Sequence, residues 1–430
     1  MPENILVLGG GAGGLELVVR LARKFKRDPD VTVTLVDKNP THIWKPLFHE
    51  VATGSMNSSH DETSYRMLAR KYKFRFVLGE AVNVALEDKS VTLGPLLDDA
   101  GDETTPGRDL SYDWLVVSIG SLSNDFGIEG VRSYSKQLDS REQAERFHKT
   151  FASLLQRADH SSNADAGMSV VIVGGGATGV ELAADMHNVV SRLQEYGLEN
   201  LSQENLSVSL IEAAPELLPR LPERIGKSVN AELKRIGVAV HTDTRVSAVE
   251  ADAVVTADGE RVPSDLSVWA AGVRAPEWLA ASGFPTDRLG RIEVNADLSV
   301  KGHDRVYSVG DCCASVDENG VEIPPRAQAA HQMASVVARN IRARRNGDEA
   351  KNFVYRDFGS LVSLSRFSTI GNLMGNLVRG TVFIEGWVAR LVYLSLYRLH
   401  QAAVHGYFST FLIILGDRIY KATRAEVKLH

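Results

Sequence analysis

The sequence predicts an α/β protein with two doubly wound parallel sheets, the second inserted in the first, and an amphipathic helical region at its C-terminus. Two copies of a G-x-G-x-x-G turn, each between an apolar strand pattern and an apolar helical pattern, predict the two sheets. A further apolar strand pattern that ends on an acidic residue follows the second unit without a glycine turn of its own, which indicates the insertion. A late segment rich in aromatic and aliphatic residues indicates the helical region.

The first glycine turn runs from Gly9 to Gly14 and follows the apolar run Ile5 to Leu8. In such a turn Gly9 allows the tight bend, Gly11 lets backbone N–H groups approach a pyrophosphate, and Gly14 lets the helix pack closely on the strand. The start of the helix then faces the anionic group. A single G-x-G-x-x-G is equally compatible with an ordinary glycine turn. The residues expected to contact the phosphates are Gly9, Gly11, Ala12, Gly13 and Gly14.

The second glycine turn, Gly174 to Gly179, follows the apolar run Val170 to Val173 and repeats the pattern. Each unit is therefore predicted to be a Rossmann-like dinucleotide-binding domain. A chain with two such units is expected to bind two nucleotides at once, which indicates electron transfer between cofactors. The residues expected at the second nucleotide are Gly174, Gly176, Ala177, Thr178 and Gly179.

An acidic residue ends a later strand pattern in each unit. Asp37 follows Val31 to Val36, and Glu212 follows Leu206 to Ile211. A carboxylate at this place accepts a hydrogen bond from a ribose 2′-OH and repels a 2′-phosphate. Because alanines and not arginines follow Glu212, the second unit is expected to prefer NADH over NADPH. Either acid alone is equally compatible with a solvated strand end.

The composition excludes several classes of protein. The net charge of −6 over 430 residues gives no reason to expect nucleic acid binding. The two cysteines, Cys312 and Cys313, are adjacent, so neither a disulfide framework, a cysteine zinc site nor dithiol chemistry is expected, and the histidine spacing predicts no metal site. Since the first strand pattern begins near Ile5, no leader peptide is expected and the chain is expected to stay in the cytoplasm.

The order of the patterns predicts four segments. Residues 1–125 and 291–375 are expected to form the first domain, residues 126–290 the inserted second domain, and residues 376–430 the C-terminal region. The strand pattern Val306 to Val309, followed by Gly310-Asp311, is expected to complete the first sheet. Between the two glycine turns the patterns predict a helix from Asp61 to Tyr72 and a polar loop from Asp98 to Asp109. They also predict four strands, which are Phe74 to Leu78, Val82 to Leu86, Ser90 to Leu93 and Ser111 to Ile119.

The C-terminal region mixes apolar and basic residues. Arg390 and Arg398 interrupt its apolar stretches, so none reaches the roughly 18 residues needed to span a bilayer. Basic residues outnumber acidic ones here, and Trp387, Leu391 and Leu394 share one helical face. These features favour a helix in the interface of an anionic lipid surface. A helix docked on the core or on a dimer partner is the alternative.

Several segments are specific enough to suggest a family. They are Trp44-Lys45-Pro46-Leu47, His49 to Gly54, Val180-Glu181-Leu182, Ala270-Ala271-Gly272, Gly310-Asp311 and Arg326 to Ala334. Together with the glycine turns, they resemble the type II, non-proton-pumping NADH:quinone oxidoreductases in their Gram-negative bacterial form, from Gly9 to His430. The resemblance implies non-covalent FAD in the first unit, NADH in the second and two-electron transfer to a membrane quinone. It also implies a peripheral protein on the cytoplasmic face of the inner membrane, with a homodimer as one possible assembly.

The resemblance further implies which residues bind the two cofactors. Beyond the first glycine turn, the FAD positions are Asp37, Lys38, Lys45, Val82, Gly120, Asp311, Ala327 and Gln328. Beyond the second turn, the NADH positions are Glu212, Ala271 and Gly272. Several relatives carry a lysine near the flavin after a turn like Gly359-Ser360-Leu361, whereas this chain has Ser365 to Thr369 there. The wall of the quinone site is therefore left open.

Three residues are implied in catalysis. Glu181 resembles a family carboxylate near nicotinamide and quinone, and it can relay protons if burial raises its pKa. A carboxylate favoured by the helix dipole is the alternative for Glu181. Gln328 and Gln332, four residues apart on one helical face, are implied at the quinone ring, with flavin binding alone as the alternative for Gln328. His331, between them, is expected to be structural.

Two other functions fit part of the pattern. An NADH-dependent reductase of a small soluble redox protein, such as a ferredoxin or rubredoxin, would use both nucleotide sites but gives no reason for the apolar tail. A flavin-bound NADH sensor without turnover would need only the nucleotide sites. Steady-state NADH oxidation with and without a soluble quinone separates the three.

Overall fold

A computed structural model shows the fold and describes residues 2–57, 62–98, 100–160, 167–196, 198, 205–365, 368–373 and 382–423. Several segments singled out in the sequence lie partly outside the described residues. One is the Ser- and Asp-rich stretch Asp159 to Gly167, whose composition predicts a linker into the second unit and of which 161–166 are outside. The others are residues 366–367, between Ser365 and Thr369, and residues 376–381 and 424–430 of the C-terminal region.

The first sheet contains six strands, five of them parallel. Their spatial order is Ser299–Val300, His303–Ser308, Trp114–Val117, Glu3–Leu8, Val31–Asp37 and Arg75–Leu78. Only the edge strand Ser299–Val300 runs antiparallel to its neighbour. Helices Ala12–Lys24 and Ala327–Arg345 pack on one face of this sheet, and a three-stranded antiparallel sheet packs on the other. Because both faces are buried, the strands read as continuous apolar runs. His303–Ser308 pairs with Trp114–Val117, which confirms that a late segment completes the first sheet.

The second sheet contains five parallel strands. Their order is Ser135–Lys136, Leu266–Trp269, Met168–Val173, Leu206–Ile211 and Ala239–His241. Met168–Val173, the strand before the second glycine turn, is central in this sheet, as Glu3–Leu8 is in the first. The two glycine turns therefore occupy equivalent positions at the carboxyl ends of their sheets.

Helices and short strands complete the described chain. The α-helices are Ala12–Lys24, Phe48–Thr53, Tyr65–Tyr72, Val131–Tyr134, Arg141–Asp159, Ala177–Val190, Glu223–Arg235, Trp278–Ala281, Ala327–Arg345, Gly386–His405 and Tyr407–Thr423. Short 3₁₀ helices lie at Lys45–Leu47, Leu193–Tyr196 and Gly310–Cys312. The paired strands outside the two main sheets are Ala81–Ala85, Ser90–Leu93 and Arg108–Ser111; Val246–Val249, Ala253–Thr256 and Arg261–Pro263; Leu122–Ser123 and Val273–Arg274; Ile292–Glu293 and Cys313–Ala314; Thr41–His42 and Thr63–Ser64; and Leu96–Leu97 and Glu103–Thr105.

Three predicted boundaries differ from the structure. The helix expected from Asp61 begins at Tyr65, because the Ser64 side chain caps it by accepting a hydrogen bond from the Met67 N–H at 3.4 Å. The expected loop Asp98 to Asp109 contains the strand Glu103–Thr105, paired with Leu96–Leu97. The strand expected over Ser111 to Ile119 is limited to Trp114–Val117.

A small antiparallel sheet joins the two dinucleotide units to the C-terminal helices. Its strands are Gly359–Leu364, Ser368–Leu373 and Val382–Glu385. The first strand packs against helices Ala177–Val190 and Gly386–His405. In the described part of the chain, no helix is both long enough and apolar enough to cross a membrane.

Candidate active site

The two glycine turns bend over the ends of neighbouring strands in the same way. Gly9 has a φ of +92° and Gly174 a φ of +115°, which are values that favour glycine. A Cβ on Gly9 would lie 2.4 Å from the Ser118 carbonyl oxygen, and one on Gly174 would lie 2.6 Å from the Ala270 carbonyl carbon. Each turn therefore lies directly against the segment that follows the next strand of its sheet.

The second and third glycines of each turn have opposite surroundings. A Cβ on Gly14 would lie 1.9 Å from the Gly9 carbonyl oxygen, and one on Gly179 would lie 2.0 Å from that of Gly174, so helix and turn are in closest contact there. A Cβ on Gly11 or Gly176 would meet no atom within 4 Å. Open space therefore lies in front of the helix N-terminus in both units, which is the shape that a pyrophosphate group requires.

Asp37 and Glu212 are built into the two turns. The Gly10 N–H donates to Asp37 Oδ2 at 2.6 Å, and the Gly175 N–H donates to Glu212 Oε2 at 2.6 Å. In each case the other carboxylate oxygen accepts a second backbone N–H, two residues further along the chain. Burial raises the pKa of Asp37. Both acids thus fix the shape of a turn instead of ending a strand in solvent.

Tyr65 supports the first turn, and no sequence motif pointed to it. Its hydroxyl donates to the Gly10 carbonyl oxygen at 2.8 Å, and a Cβ on Gly10 would lie 2.5 Å from that hydroxyl. Burial raises the pKa of Tyr65 well above its usual value, so the hydroxyl remains a donor. The turn is therefore held by Asp37 through its N–H and by Tyr65 through its carbonyl.

Three of the residues assigned to FAD come together around Ser121. Lys45 Nζ donates to the Ser121 carbonyl oxygen at 2.8 Å, and Asp311 Oδ2 accepts from the Ser121 hydroxyl at 3.0 Å. Gly120 has a φ of +74°, and a Cβ there would meet no atom within 4 Å. A cation, a carboxylate acceptor and an open backbone thus lie at the carboxyl end of the first sheet. Together with the open first turn, this donor set fits the phosphates and hydroxyls of FAD.

Three other residues assigned to FAD lie elsewhere in the first unit. Lys38 forms an ion pair with Glu80 at 3.3 Å, and Val82 is exposed on strand Ala81–Ala85. Ala327 is the first residue of helix Ala327–Arg345. Strand Glu3–Leu8 lies between Val31–Asp37 and Trp114–Val117 in the sheet, so Lys38, after the first of these two, is set apart from Ser121, after the second.

At the second turn, the residues assigned to NADH form the rim of an open face. Ala177 and Thr178 are exposed in the first turn of helix Ala177–Val190. Gly272, with a φ of +60°, packs against the ring of Phe126, since a Cβ on Gly272 would lie 2.6 Å from Phe126 Cζ. Phe126 is exposed and has a φ of +51°, an unusual value for an aromatic residue.

Glu181 lies in a buried cluster of ionisable side chains. His49 Nε2 lies 3.3 Å from Glu181 Oε2, and His49 Nδ1 lies 2.7 Å from Asp185 Oδ2. The Ser363 backbone N–H donates to Glu181 Oε1 at 3.0 Å. Burial raises the pKa of Glu181 to about 7, while the charge of His49 limits that rise. Burial lowers the pKa of His49, but the charge of Glu181 and the hydrogen bond to Asp185 outweigh it and raise that pKa to about 10.

The two glutamines hold the segment that leads into the small sheet. The Gln328 amide donates to the Gly359 carbonyl oxygen at 3.0 Å, and the Gln332 amide donates to the Arg356 carbonyl oxygen at 2.8 Å and accepts from its N–H at 3.0 Å. Strand Gly359–Leu364 therefore contacts Gln328 at its start and Glu181 near its end. At about 3.3 Å per residue, the two contacts lie roughly 13 Å apart along the strand.

His331 takes part in a second buried network, centred on Glu16. His331 Nδ1 lies 2.5 Å from Glu16 Oε2, and His400 Nδ1 lies 2.8 Å from Glu16 Oε1. The second ring nitrogen of His400 lies 3.0 Å from His42 Nε2. Although burial alone would raise it, the pKa of Glu16 is lowered to about 2 by the two histidines. His331 thus links helix Ala327–Arg345 to helix Ala12–Lys24.

The comparisons with known proteins follow the same lines as this geometry. Residues 3–334 match the family model of the pyridine nucleotide-disulphide oxidoreductases. A type II NADH:quinone oxidoreductase of Haemophilus influenzae is 40% identical to this chain, over 100% of both chains. The chain belongs to the type II NADH:quinone oxidoreductase family. This membership confirms the resemblance inferred from the sequence, including an α/β fold with two dinucleotide-binding units.

Further relatives of this type II oxidoreductase agree in sequence or in fold. A type II NADH:quinone oxidoreductase of Staphylococcus aureus is 30% identical over 88% of this chain and 91% of its own length. The solved structure of NDH2 from Plasmodium falciparum in complex with NADH covers 100% of both chains with a TM-score of 0.80 at 18% identity. A sulfide:quinone oxidoreductase from Aquifex aeolicus covers 94% of this chain and 92% of its own, with a TM-score of 0.73 at 19% identity.

The two C-terminal helices of this family member differ in their packing. Helix Gly386–His405 packs against the core through Ala389, His400 and Val404, which are buried, while Trp44 stacks on Tyr397 with ring centroids 5.1 Å apart. Helix Tyr407–Thr423 instead exposes a row of large apolar side chains, which are Tyr407, Phe408, Phe411, Leu412, Leu415 and Ile419. Trp387 is exposed, while the side chains of Leu391 and Leu394 lie outside the described residues.

Two other expectations concern metals and thiols. Within the described residues, no group of three or more histidine, cysteine or acidic side chains is placed to hold a metal ion. Cys312 and Cys313 are buried and unpaired by a disulfide, and burial raises the pKa of both thiols. Neither thiol is therefore poised to act as a nucleophile.

Proposed function

We propose that this chain oxidises NADH and passes two electrons to a membrane quinone through non-covalently bound FAD. The observation that carries the proposal is a pair of equivalent glycine turns, each with its own acidic residue, in a chain of the type II NADH:quinone oxidoreductase family. When bound, FAD supplies the chemistry of accepting a hydride and releasing two electrons. The enzyme moves no proton across the membrane by itself.

The residues of the first unit bind and orient FAD. The N-terminus of helix Ala12–Lys24 faces the pyrophosphate, and Asp37 keeps the turn in shape. Lys45, Gly120 and Asp311, which meet at Ser121, hold the region toward the isoalloxazine. For the remaining FAD positions we propose that Lys38 and Val82 line the adenosine end, and that Ala327 and Gln328 start the helix behind the flavin.

The residues of the second unit bind NADH. Ala177 and Thr178 lie at the helix N-terminus for the pyrophosphate, Glu212 for the ribose, and Ala271 and Gly272 on the rim toward the nicotinamide.

Domain boundaries at residues 125, 290 and 375 would assign the NADH unit to 126–290 and the FAD unit to 1–125 and 291–375. The C-terminal region then comprises 376–430.

We assign the quinone step to Glu181, Gln328 and Gln332. The buried Glu181 carboxyl can exchange a proton near neutral pH, because its pKa is raised to about 7. Gln328 and Gln332 bind the backbone of the segment 356–359 and so shape the wall on which the quinone ring lies. Their amide groups are also offered to the quinone ring. Flavin binding alone is the alternative role for Gln328.

The natural occupant of the exposed apolar row on Tyr407–Thr423 is proposed to be an anionic lipid surface. Tyr407 is 82% exposed and Phe408 75% exposed, values that a chain surrounded only by water rarely shows in adjacent aromatic residues. Arg418 on the same helix adds a positive charge near the lipid head groups. The enzyme would then be peripheral on the cytoplasmic face of a bacterial inner membrane. A homodimer that buries the same row is the alternative assembly.

The two half-reactions of the purified protein test the proposed function. In stopped-flow measurements we expect NADH to bleach the flavin absorbance and a short-chain quinone to restore it. Gln332→Ala should leave flavin reduction by NADH intact and slow reoxidation, because it loosens the wall formed by segment 356–359. Reoxidation by an oxidised ferredoxin or rubredoxin but not by quinone would favour the soluble reductase, and no reoxidation by either would favour a sensor.

Nucleotide choice gives a second prediction. The Glu212 carboxylate would repel the 2′-phosphate of NADPH, and no arginine follows Glu212 to bind that phosphate. The value of kcat/KM should therefore be at least about 100-fold higher for NADH than for NADPH. The double variant Glu212→Ala with Ala213→Arg should narrow that ratio. Glu212→Gln is the matched control, since it keeps the side-chain length while removing the charge. Equal kcat/KM for the two nucleotides in the unmodified enzyme would contradict the assignment.

A further inference from the structure

The segment His49 to Gly54 was singled out in the sequence, yet the two cofactor sites do not account for it. In the structure His49, on the short helix Phe48–Thr53, lies between two acids of helix Ala177–Val190. Those acids, Glu181 and Asp185, are four residues apart and therefore on one helical face. All three side chains are buried, with relative exposures of 3% for His49, 6% for Glu181 and 3% for Asp185.

The contacts of His49 are unequal in kind. Its Nδ1 makes a short hydrogen bond of 2.7 Å to Asp185, whereas its Nε2 lies 3.3 Å from Glu181 without forming a hydrogen bond. Asp185 therefore fixes the ring, and the other ring nitrogen faces the carboxyl group assigned to the quinone step. The arrangement has the geometry of an acid that orients a histidine toward a third group.

Two further titratable groups face the cluster. Glu50, beside His49, and Tyr393, on helix Gly386–His405, both act on the charge of Glu181 or lie within its reach. The buried Tyr393 hydroxyl forms no hydrogen bond with the described residues. Strand Gly359–Leu364 contributes the Ser363 backbone N–H, which donates to Glu181. The cation His49 thus lies beside Glu181, together with the acids Asp185 and Glu50 and the neutral phenol of Tyr393.

The overall reaction consumes one proton from water. NADH donates a hydride, which carries two electrons and one proton, and the quinone needs two electrons and two protons to become a quinol. The balance is NADH + H⁺ + quinone → NAD⁺ + quinol. A buried group near the quinone that takes up a proton and then releases it would supply this proton.

We propose that His49 and Asp185 are positioning residues that orient the Glu181 carboxyl and set its charge, so that Glu181 carries the consumed proton to the quinone. This inference rests on the proposed function, in which Glu181 serves the quinone step. With Asp185 ionised and His49 protonated, the trio is neutral when Glu181 holds a proton and carries one negative charge after releasing it.

Charge counting predicts opposite effects for the two positioning residues. In Asp185→Asn, protonating Glu181 would leave the positive charge of His49 buried without a counter-ion. The pH at the midpoint of the Glu181 titration should therefore fall. In His49→Gln, the two acids lose their cation, so the midpoint should move to higher pH. Each shift should be about 1 to 3 pH units, as expected for a charge removed from within about 6 Å. A role in packing alone predicts no such opposition.

The test is an infrared pH titration of the resting, FAD-loaded enzyme, with no turnover. Loss of a protonated-carboxyl band in Glu181→Gln assigns that band to Glu181, and its midpoint is then measured in His49→Gln, Asp185→Asn and the rescue variant Asp185→Glu. His187→Gln is the matched control, because His187 is buried on the same helix but lies near Gly237, away from the cluster. We expect midpoints near the unmodified value in Asp185→Glu and His187→Gln.

The pH dependence of quinone-driven flavin reoxidation gives the second measurement, and it separates the two levels of inference. If flavin reoxidation by quinone keeps the unmodified pH profile in Glu181→Gln, Glu181 does not act in the quinone step and its proposed role is wrong. If that profile is lost, but the midpoints of His49→Gln and Asp185→Asn stay unchanged or move in the same direction, Glu181 keeps its role and the inference about the pair is overturned. Flavin reduction by NADH should remain within about twofold of the unmodified rate in His49→Gln and in Asp185→Asn. If one of these two variants fails to fold, the direction in which the Glu181 midpoint moves in the other still decides.

Discussion

Alanine at Gly14 is expected to abolish FAD binding and to destabilise the first unit. The added Cβ would lie 1.9 Å from the Gly9 carbonyl oxygen and 2.9 Å from Ser118 Oγ. Because the nearer atom belongs to the backbone, no side-chain rotation relieves the contact, and the helix Ala12–Lys24 has to move away from the turn. Overpacking of this kind costs about 1 to 3 kcal/mol or more, and the displaced helix N-terminus no longer faces the pyrophosphate.

The neighbouring Gly11 provides a matched control within the same turn. Gly11 has a φ of −63°, which any residue adopts, and a Cβ there would meet no protein atom within 4 Å. Gly11→Ala should therefore leave the melting temperature of the apoprotein unchanged while weakening FAD binding, because its methyl group occupies the open space expected for the phosphates. The measurements are the FAD-to-protein ratio after purification and the melting temperature with and without added FAD.

The same pair of substitutions can be made in the second unit. Gly179→Ala places a Cβ 2.0 Å from the Gly174 carbonyl oxygen, whereas Gly176→Ala places one in open space. Both should keep FAD and impair NADH binding, and only Gly179→Ala should lower the melting temperature. A Gly14→Ala protein that purifies with full FAD and an unchanged melting temperature would refute the assignment of the first turn.

A chain that ends at Gly406 is expected to leave the membrane while keeping its FAD. This truncation removes helix Tyr407–Thr423 with its exposed apolar row, and each large apolar side chain transferred from water into the interface contributes up to about 1.5 to 3 kcal/mol. Liposome flotation should fall to background. Activity should drop more with long-tailed quinones than with short-chain analogues, because a long-tailed quinone reaches the enzyme only at the bilayer.

A longer deletion that removes the whole C-terminal region is expected to behave differently. Cutting near Gly380 would also remove helix Gly386–His405, whose His400 pairs with the buried Glu16 and whose Tyr397 covers Trp44. That cut leaves a buried carboxylate without one of its two histidines, a loss that typically costs several kcal/mol. The longer deletion should therefore lose FAD and melt at a lower temperature, in contrast to the chain that ends at Gly406.

Surface substitutions show whether lipid or a second copy of the chain covers the exposed apolar row on helix Tyr407–Thr423. Phe408→Ser with Phe411→Ser should reduce flotation without changing the melting temperature, and Val321→Ser, an exposed apolar residue on a distant loop, is the control. If the protein ending at Gly406 floats with liposomes as well as the intact chain does, lipid is not the occupant. A change from dimer to monomer in light scattering would then assign the row to a second copy of the chain.

The sequence by itself determined the features that depend on neighbours along the chain. The glycine turns with their flanking strands and helices were predictable, because periodicity and glycine spacing are read within a few residues. The return of His303–Ser308 to the first sheet was predictable because this apolar strand pattern has no glycine turn of its own. Family membership followed from the same short motifs.

Only the tertiary structure decided which distant side chains meet. His49 pairs with Asp185 across 136 positions, Glu16 with His400 across 384, and the Tyr65 hydroxyl with the Gly10 carbonyl across 55. It also divided the C-terminal region into one helix that completes the core and one that remains exposed. No periodicity announces such contacts, because a buried polar group requires a partner but its own sequence does not say which strand or helix the fold brings to it.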